Sequence, residues 1–250
     1  MDIKIAENAH ELGKSAGAAA ARAIREAIIS KGAANIILAT GTSQFETLKQ
    51  LILEDIDWSK VVMFHLDEYI NLPVTHPASF RKYLQEKFIS KVPPLKAVYL
   101  ISGEVDPQAE CDRLGESIRN HPIDVALVGV GENGHLAFND PPADFTTETP
   151  YIIVALDEAC RQQQLGEGWF KSLAEVPPQA ISMSVKQILK SKIIICSVPD
   201  SRKAIAVKNS VEQAVSNIYP ASILQQHADC RFYLDKNSAA KLSKNASPIL

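Results

Sequence analysis

The sequence predicts an α/β fold: a single domain with a Rossmann-like, mainly parallel sheet and helices on both faces. Short apolar runs alternate with longer amphipathic segments along the chain, and this alternation is typical of βαβ units. Several apolar runs stop abruptly at glycine or polar residues, as buried parallel strands do. The 250 residues, 46% of them hydrophobic, can form one full core, and no Pro/Gly/Ser-rich linker divides them.

Eight apolar runs have the length and the bounding polar residues of strands. They are Asn35–Ala39, Lys60–His65, Ala97–Leu100, Asp124–Val130, Tyr151–Val154, Ala180–Val185, Lys192–Ser197 and Arg231–Leu234. The segments between them have helical spacing of apolar residues. They are Glu7–Ser30, Ser43–Glu54, Pro77–Phe88, Pro107–Arg119, Asp157–Ser172, Asp200–Val211 and Pro220–His227. The first helix is rich in alanine, which lets it lie close to a sheet, and the tail 241–250 is expected to be loosely held.

Composition excludes several classes of protein. The net charge of −3 and the pI near 6.1 give no basic surface for nucleic acid or an anionic membrane. The four cysteines form no C-x-x-C pair, which argues against a disulfide framework and a structural zinc site. With the polar start M-D-I-K-I-A-E-N and no long apolar span, this spacing predicts a cytoplasmic protein without a transmembrane helix.

The segment Asp124–Pro141, D-V-A-L-V-G-V-G-E-N-G-H-L-A-F-N-D-P, holds the strongest functional signal. An apolar run ends at glycines and then gives His135 and Asp140 within a few residues. In an open α/β sheet, ligands bind at the carboxyl ends of the strands. A lone histidine after a strand is more often hydrogen-bonded within its loop. Two further polar clusters follow apolar runs in the same way, so a functional site is favoured here.

The first of these clusters is T-G-T-S, where a strand end passes through a glycine into hydroxyl residues that begin a helix. Backbone N–H groups at a helix start bind phosphate, and glycine allows close approach. The candidate phosphate ligands are Thr40, Gly41, Thr42 and Ser43. An ordinary N-cap would have the same residue types. A positive charge would come from D-S-R-K-A, through either Arg202 or Lys203, and Lys203 is our candidate.

The second cluster places Asp67 and Glu68 directly after V-V-M-F-H-L. Adjacent side chains on an extended backbone point to opposite sides, so only one carboxylate can face a given pocket. A partly desolvated carboxylate at a strand end has a raised pKa and can act as a general base. A capping or salt-bridging role is the alternative. Either carboxylate could be that base, and Glu68 is also a candidate ligand for substrate.

Two longer segments resemble the signatures of the glucosamine-6-phosphate deaminase/isomerase family. They are L-D-E-Y-I-N-L-P-V-T-H-P-A-S-F, residues 66–80, and G-V-G-E-N-G-H-L-A-F-N-D-P, residues 129–141. The T-G-T-S loop and R-K-A at 202–204 resemble the family's phosphate site. The resemblance covers nearly the whole chain. It implies conversion of glucosamine 6-phosphate to fructose 6-phosphate and ammonia, without a metal or organic cofactor.

The resemblance also implies a role for each matching residue. His135 would assist opening of the pyranose ring, and Asp67 would move a proton between C2 and C1 of the open-chain sugar. Asp140 stands where the family usually has glutamate, and Asn133 where some members have aspartate; both would orient the histidine. Gly131 and Gly134 would let the loop bend and present N–H groups to a sugar oxygen. A carboxylate and an imidazole suit the proton transfers of an aldose–ketose isomerisation.

The sequence departs from the family pattern in two places. Glu148, within Thr147-Glu148-Thr149, stands where the family commonly has arginine, and Gly168 stands where a lid arginine contacts the substrate phosphate. Arg161 lies too early to be taken as the replacement. Gly166 and Gly168 predict a mobile lid around residues 145–175. Both departures remove a cation from a place where the family pattern has one.

Several readings therefore stay open. The substrate could be another hexosamine phosphate, such as galactosamine 6-phosphate. A 6-phosphogluconolactonase also has a G-H loop but usually continues G-H-x-A-S-L-F-P, unlike G-H-L-A-F-N-D-P here. A non-catalytic sugar-phosphate sensor would need a helix-turn-helix region, and the chain begins almost directly with its first predicted helix. The sequence also leaves room for a homo-oligomer.

Overall fold

A computed structural model describes residues 1–243; positions 244–250 of the tail expected to be loosely held lie outside the described residues. The strands are β1 (Asp2–Ala6), β2 (Ala34–Leu38), β3 (Val61–His65), β4 (Asp67–Tyr69), β5 (Ala97–Tyr99), β6 (Val125–Val128), β7 (Tyr151–Ala155), β8 (Gln179–Met183), β9 (Ile193–Val198) and β10 (Cys230–Asp235). The α-helices are α1 (Ala9–Lys31), α2 (Phe45–Leu53), α3 (Phe80–Lys87), α4 (Pro107–Arg119), α5 (Glu158–Gly166), α6 (Val185–Leu189) and α7 (Ala204–Glu212).

Seven strands form a parallel sheet in the order β1-β10-β9-β6-β2-β3-β5. From β2 the chain proceeds through β3 to β5 on one side, and from β6 it proceeds through β9 to β10 on the other. The strand order therefore reverses between β2 and β6. In open α/β sheets the crevice at such a switch point is where ligands bind.

The core lies on both faces of this sheet, because successive residues of a strand point to opposite sides. Ile36 and Leu38 of β2 pack on the face covered by α1, α2 and α3, whereas Ile37 packs on the face covered by α4, α6 and α7. All three side chains are fully buried. The predicted fold class, a mainly parallel sheet with helices on both faces, is confirmed.

Helix α1 crosses the sheet and contacts β1, β2, β6, β9 and β10. The buried alanines of this helix, Ala16, Ala20 and Ala21 among them, let its axis lie close to the strands. The Asn8 side chain caps the first turn by accepting a hydrogen bond from the Glu11 N–H at 3.0 Å. Gly32, at φ 82°, ends the helix in the left-handed conformation.

The sequence missed two strands and one short helix. β1 is an edge strand with alternating charged and apolar residues, so it lacks the continuous apolar run of a central strand. β4 is three residues long, too short to show a period. α6 begins at Val185, which the sequence predicted as a strand end, because Ser184 caps it through the Gln187 N–H. Conversely, the helix predicted over Asp157–Ser172 ends at Gly166.

A second, antiparallel sheet in the order β4-β8-β7 stands beside the carboxyl ends of the large one. β7 leads into α5. The small sheet and α5 share a separate apolar core that includes Tyr69, Phe138, Cys160 and Phe170. The segment predicted as a lid, 145–175, thus contains a strand and a helix held on this core. None of the helices in residues 1–243 has the length and hydropathy needed to cross a membrane.

Candidate active site

A cavity of about 530 Å³, its mouth included, opens at the switch point of the sheet. Its walls come from the loops after β2, β3, β6 and β9, which are four adjacent strands. These loops bring together eight of the residues predicted from the sequence: Thr40, Gly41, Thr42, Ser43, Asp67, Gly131, His135 and Lys203. Parallel strands ending at one edge account for the convergence of positions far apart in the chain.

The loop after β2 forms one end of the cavity. Gly41 has φ 83° and begins a short 3-10 helix over Thr42–Gln44. The Thr40 Oγ1 atom is buried and has no hydrogen-bond partner among residues 1–243. Ser43 lies so close to Gly129, in the loop after β6, that a Cβ there would stand 2.6 Å from the Ser43 hydroxyl oxygen. The loop therefore offers hydroxyl and backbone groups to an anion.

Lys203 supplies the positive charge at this end. It lies in the 3-10 helix Ser201–Lys203 after β9, and its side chain is 4% exposed. Burial lowers the pKa of its ammonium, although Glu132 and Glu167 oppose that shift. Arg202 instead forms ion pairs with Asp200 at 2.9 Å and Glu132 at 3.4 Å. Of the two cations that the sequence left open, Lys203 faces the cavity.

Asp67 forms the opposite side. It follows β3 as the first residue of β4, and its pairing with Ser182 of β8 holds the backbone extended. The side chain is almost fully buried and accepts no hydrogen bond from residues 1–243. Desolvation, with the neighbouring Glu68 charge, raises the pKa of Asp67 to about 8. A carboxyl group tuned in this way can take and return a proton near neutral pH.

Glu68 is in a different position from the one predicted. Its carboxylate points away from Asp67 and accepts hydrogen bonds from the Ser79 hydroxyl at 2.8 Å and from the N–H groups of Tyr69, Phe80 and Arg81. The contacts with Ser79, Phe80 and Arg81 satisfy donors at the start of α3. Glu68 does not line the cavity, so the structure offers no contact in support of the prediction that it binds substrate. The prediction that only one of the two carboxylates faces the pocket is confirmed.

His135 forms a third wall, after β6. Its ring lies against Gly131, where any Cβ would overlap the imidazole atoms. Nδ1 lies 3.1 Å from Asp140 Oδ1, although its N–H does not point along that line. Nε2 is the ring nitrogen left for the cavity. The imidazole ring is therefore held between the Gly131 backbone and the Asp140 carboxylate, and Nε2 is available to exchange a proton with a ligand in the cavity.

Asn133 and Asp140 lie behind the histidine and not in the cavity wall. The Asn133 Nδ2 donates to Asp140 Oδ1 at 3.0 Å, and its Oδ1 accepts from the His135 N–H at 3.0 Å. Burial alone would raise the pKa of Asp140, but the contacts with His135 and Asn133 outweigh it and hold that pKa below its usual value. The arrangement fits the orienting role predicted for both residues.

Gly131 and Gly134 shape the loop after β6, and their N–H groups are not free. Gly131 N–H donates to the His135 carbonyl and Gly134 N–H to the Gly131 carbonyl, each at 3.0 Å. Gly134, at φ 90°, makes the tight bend, but it does not line the cavity. Both N–H groups are thus already bonded within the loop, and neither is free for the sugar oxygen that the sequence analysis assigned to them.

The lid segment contributes residues that the sequence did not identify. Gln163, Gln164 and Glu167 of the α5 region line the cavity. Gln164 Oε1 accepts from the Tyr69 hydroxyl at 2.6 Å, and Gln163 Oε1 accepts from the Glu132 N–H at 2.8 Å. In the sequence, the i, i+4 spacing of Gln163 and Glu167 indicates only that the two side chains lie on the same face of a helix. Whether that face is turned toward the cavity depends on how α5 packs against the rest of the domain.

Arg161 does not replace the missing lid arginine. Its guanidinium donates to the carbonyls of Leu173, at 2.6 Å, and Val176, at 3.0 Å. It therefore holds the segment that connects α5 to β8. Gly168 has φ 83° and leaves no side chain toward the cavity. The lid wall thus presents amides and a carboxylate, and the positive charge of the cavity comes from Lys203.

The fold and the site define an α/β protein whose crevice brings together a loop of hydroxyl residues, a buried lysine, a carboxyl group and an imidazole. The chain matches the model of the family described as glucosamine-6-phosphate isomerases/6-phosphogluconolactonase over residues 7–232. The chain belongs to this family.

Relatives match over nearly their whole length. The glucosamine-6-phosphate deaminase of Lactobacillus delbrueckii subsp. bulgaricus is 35% identical, with 97% of this chain and 100% of the relative covered. The enzyme of the same name from Lacticaseibacillus paracasei is 36% identical, with 98% and 100% covered. A solved structure described as a monomeric glucosamine-6-phosphate deaminase superimposes with a TM-score of 0.88 at 30% identity, covering 96% of this chain and 100% of that one. A 6-phosphogluconolactonase from Thermotoga maritima, at 14% identity, covers 94% of this chain and 99% of its own with a TM-score of 0.78, a likeness of fold.

Proposed function

We propose that the chain is a deaminating aldose–ketose isomerase that converts glucosamine 6-phosphate and water to fructose 6-phosphate and ammonia. One observation carries the proposal: Asp67, His135 and Lys203 share a cavity with the Thr40–Ser43 loop. Relatives named glucosamine-6-phosphate deaminase match 97% and 98% of the chain, which supports the proposal.

In the proposed mechanism, the Thr40–Ser43 loop and Lys203 hold the phosphate, which places the sugar along the cavity. His135 Nε2 carries a proton between the anomeric hydroxyl and the ring oxygen, and the ring opens to the aldehyde. Asp67 then removes the proton at C2 while the C1 oxygen gains a proton from solvent, which gives an enolamine. Asp67 returns its proton to C1, which gives an iminium ion at C2. Water adds to C2 and releases a proton to solvent, and ammonia leaves. No step in this sequence consumes an oxidant or reductant.

The test of the proposal is ammonia release from a panel of hexosamine 6-phosphates, with glucosamine and galactosamine 6-phosphates as the first pair. We expect glucosamine 6-phosphate to have the highest kcat/KM. Ammonia from another member alone would change the substrate and keep the mechanism. Release from none of them, with hydrolysis of 6-phosphogluconolactone instead, would contradict the proposal.

The pH dependence of the reaction follows from Asp67. Its pKa is raised to about 8, and only the ionised form can accept the C2 proton. We therefore expect kcat/KM for deamination to rise with pH through a limb centred near 8. A limb centred below about pH 6 would show that the base is a carboxylate of ordinary pKa.

Substitution of Lys203 by Ala should raise KM by roughly ten- to a hundredfold, because a charge-assisted hydrogen bond to the phosphate is lost. Arg202→Ala is the matched control, since Arg202 is exposed and paired with Asp200; its KM should stay near that of the wild type. The reverse pattern would move the phosphate role to Arg202. Both variants are compared by initial rates of ammonia release.

The lid and the Glu148 region predict the absence of allosteric activation. Glu148 forms ion pairs with Lys186 at 2.9 Å and Lys190 at 3.0 Å on the surface. An anionic effector would need free cations, but here the Glu148 carboxylate already neutralises the two lysines beside it. We expect hyperbolic rate curves unchanged by N-acetylglucosamine 6-phosphate, and a KM above that of enzymes with a lid arginine. Sigmoidal curves that the acetylated sugar phosphate makes hyperbolic would refute this.

We propose in addition that the lid around 145–175 moves when substrate enters, with Gly166 and Gly168 as its flexible positions. The four cysteines are buried free thiols, which supports the proposed cytoplasmic location. A homo-oligomer remains a proposal to be tested by gel filtration with light scattering; one solved relative is described as monomeric.

A further inference from the structure

A nitrogen, an oxygen and a sulfur donor meet behind the catalytic histidine. The ligand atoms of His135, Asp140 and Cys160 all lie within 4.8 Å of one another. Asp140 and His135 belong to the loop after β6, whereas Cys160 comes from the first turn of α5, next to Asp157, whose N–H donates to Asp140 Oδ2 at 3.2 Å. The cluster therefore joins the catalytic loop to the lid helix.

One atom of this cluster lacks a hydrogen bond. His135 Nδ1 is buried and has no hydrogen-bond partner among residues 1–243, although Asp140 Oδ1 lies 3.1 Å away. Buried polar atoms are nearly always paired, so an unpaired one calls for an explanation. An imidazole nitrogen close to a carboxylate and a thiol is a typical beginning of a metal site.

The donor set and its dimensions select the kind of ion. Mg²⁺ and Ca²⁺ prefer oxygen ligands, whereas a thiolate with an imidazole suits Zn²⁺ and softer divalent ions. With Zn–N and Zn–O bonds of about 2.0 Å, ligand atoms 3.1 Å apart subtend an angle of roughly 100° at one ion. Three protein ligands would leave a fourth position for water, and Cys160 reaches the ion by a shift of about 1 Å.

We propose that His135, Asp140 and Cys160 form an inhibitory binding site for Zn²⁺ or another thiophilic divalent ion. On binding, the Cys160 thiol releases its proton to solvent and the sulfur bonds to the metal. The metal takes His135 and Asp140 out of proton transfer and ties α5 to the loop after β6. The proposal that the cluster binds a metal is independent of the proposed function, whereas the proposal that the metal inhibits rests on the proposed function.

Cd²⁺ is the probe for binding, because a cadmium–thiolate bond gives an ultraviolet charge-transfer absorption. The chelator-treated full chain is titrated with Cd²⁺, and we expect one equivalent to produce the band. Cys160→Ser should abolish the band, and Asp140→Asn should weaken Cd²⁺ binding by about tenfold or more. Cys111→Ser and Cys196→Ser are the matched controls, since both thiols are buried elsewhere, and they should keep the full band. Thermal melts of each variant check its fold.

Inhibition is measured with Zn²⁺ in the ammonia-release assay, each variant relative to its own metal-free rate. We expect reversible loss of activity that a chelator restores, and at least about tenfold weaker inhibition in Cys160→Ser. A Cd²⁺ band that survives in folded Cys160→Ser, or that disappears in Cys196→Ser, would overturn the site. Binding at the cluster with unchanged ammonia release would overturn the inhibitory role. A chain that binds Cd²⁺ there but deaminates no hexosamine phosphate would reject the proposed function and keep the metal site.

Discussion

Replacing Asp67 by Asn is expected to lower turnover by roughly 10²–10⁴-fold while sparing the fold, the range usual for a positioned acid–base group. An amide of the same shape fills the cavity wall but cannot accept the C2 proton. Single-turnover ammonia release and circular dichroism together separate loss of chemistry from loss of structure. A folded Asp67→Asn protein with near-native turnover would contradict the assignment.

The same substitution has an expected effect on stability. The native Asp67 carboxyl has a pKa of about 8 against an ordinary value of 3.8, so the native state holds its proton where the unfolded state has lost it. The free energy of unfolding of the wild type should therefore fall as pH rises from about 4 to about 8 through this group. Asp67→Asn lacks that penalty and should be the more stable protein at pH 8. Urea unfolding at pH 5 and pH 8 measures the difference.

Glu68→Gln is the control for both effects. The Glu68 carboxylate accepts four hydrogen bonds, three of them from residues at the start of α3. The amide of glutamine has one oxygen and no charge, so it cannot replace all four. We expect this variant to lose stability while it keeps turnover in the folded fraction. Loss of turnover in Glu68→Gln but not in Asp67→Asn would show that Glu68 is the base.

His135→Gln is expected to reduce the rate with cyclic glucosamine 6-phosphate by about 10²-fold or more, because no group would then carry the ring-opening proton. Solvent-proton exchange at C1 of open-chain fructose 6-phosphate depends on Asp67 and should fall much less. Exchange is followed by nuclear magnetic resonance in deuterated solvent. Equal losses in the two assays would reject this division of roles.

Asp140→Asn tests the support behind the histidine. The variant keeps the shape of the side chain but removes the negative charge 3.1 Å from Nδ1. We expect a smaller loss in the cyclic-substrate assay than for His135→Gln, with C1 exchange again spared. An effect on C1 exchange equal to that of Asp67→Asn would place Asp140 in proton transfer at carbon.

The sequence alone determined the main parallel sheet and eight residues of the cavity wall. β2, β3, β6 and β9 are buried on both faces, so each appears as a continuous apolar run whose end marks a loop of the site. Because parallel strands end at one edge, Thr40, Asp67, His135 and Lys203 could be grouped before any contact was known. Helix α4 was predicted with its observed bounds, Pro107–Arg119, since Asp106 caps it and Pro107 suits its first turn.

The tertiary structure decided what each of these side chains faces. Glu68 turns to α3, Arg202 pairs at the surface, and the Gly131 and Gly134 N–H groups bond within their own loop. The glutamines of α5 and the thiol of Cys160 reach the site only because α5 docks over it; Tyr69 and Gln164, for example, are 95 positions apart. Local periodicity indicates which face of a segment is apolar. It carries no information on which distant polar atom will meet that segment, because such a contact depends on the packing of the whole domain.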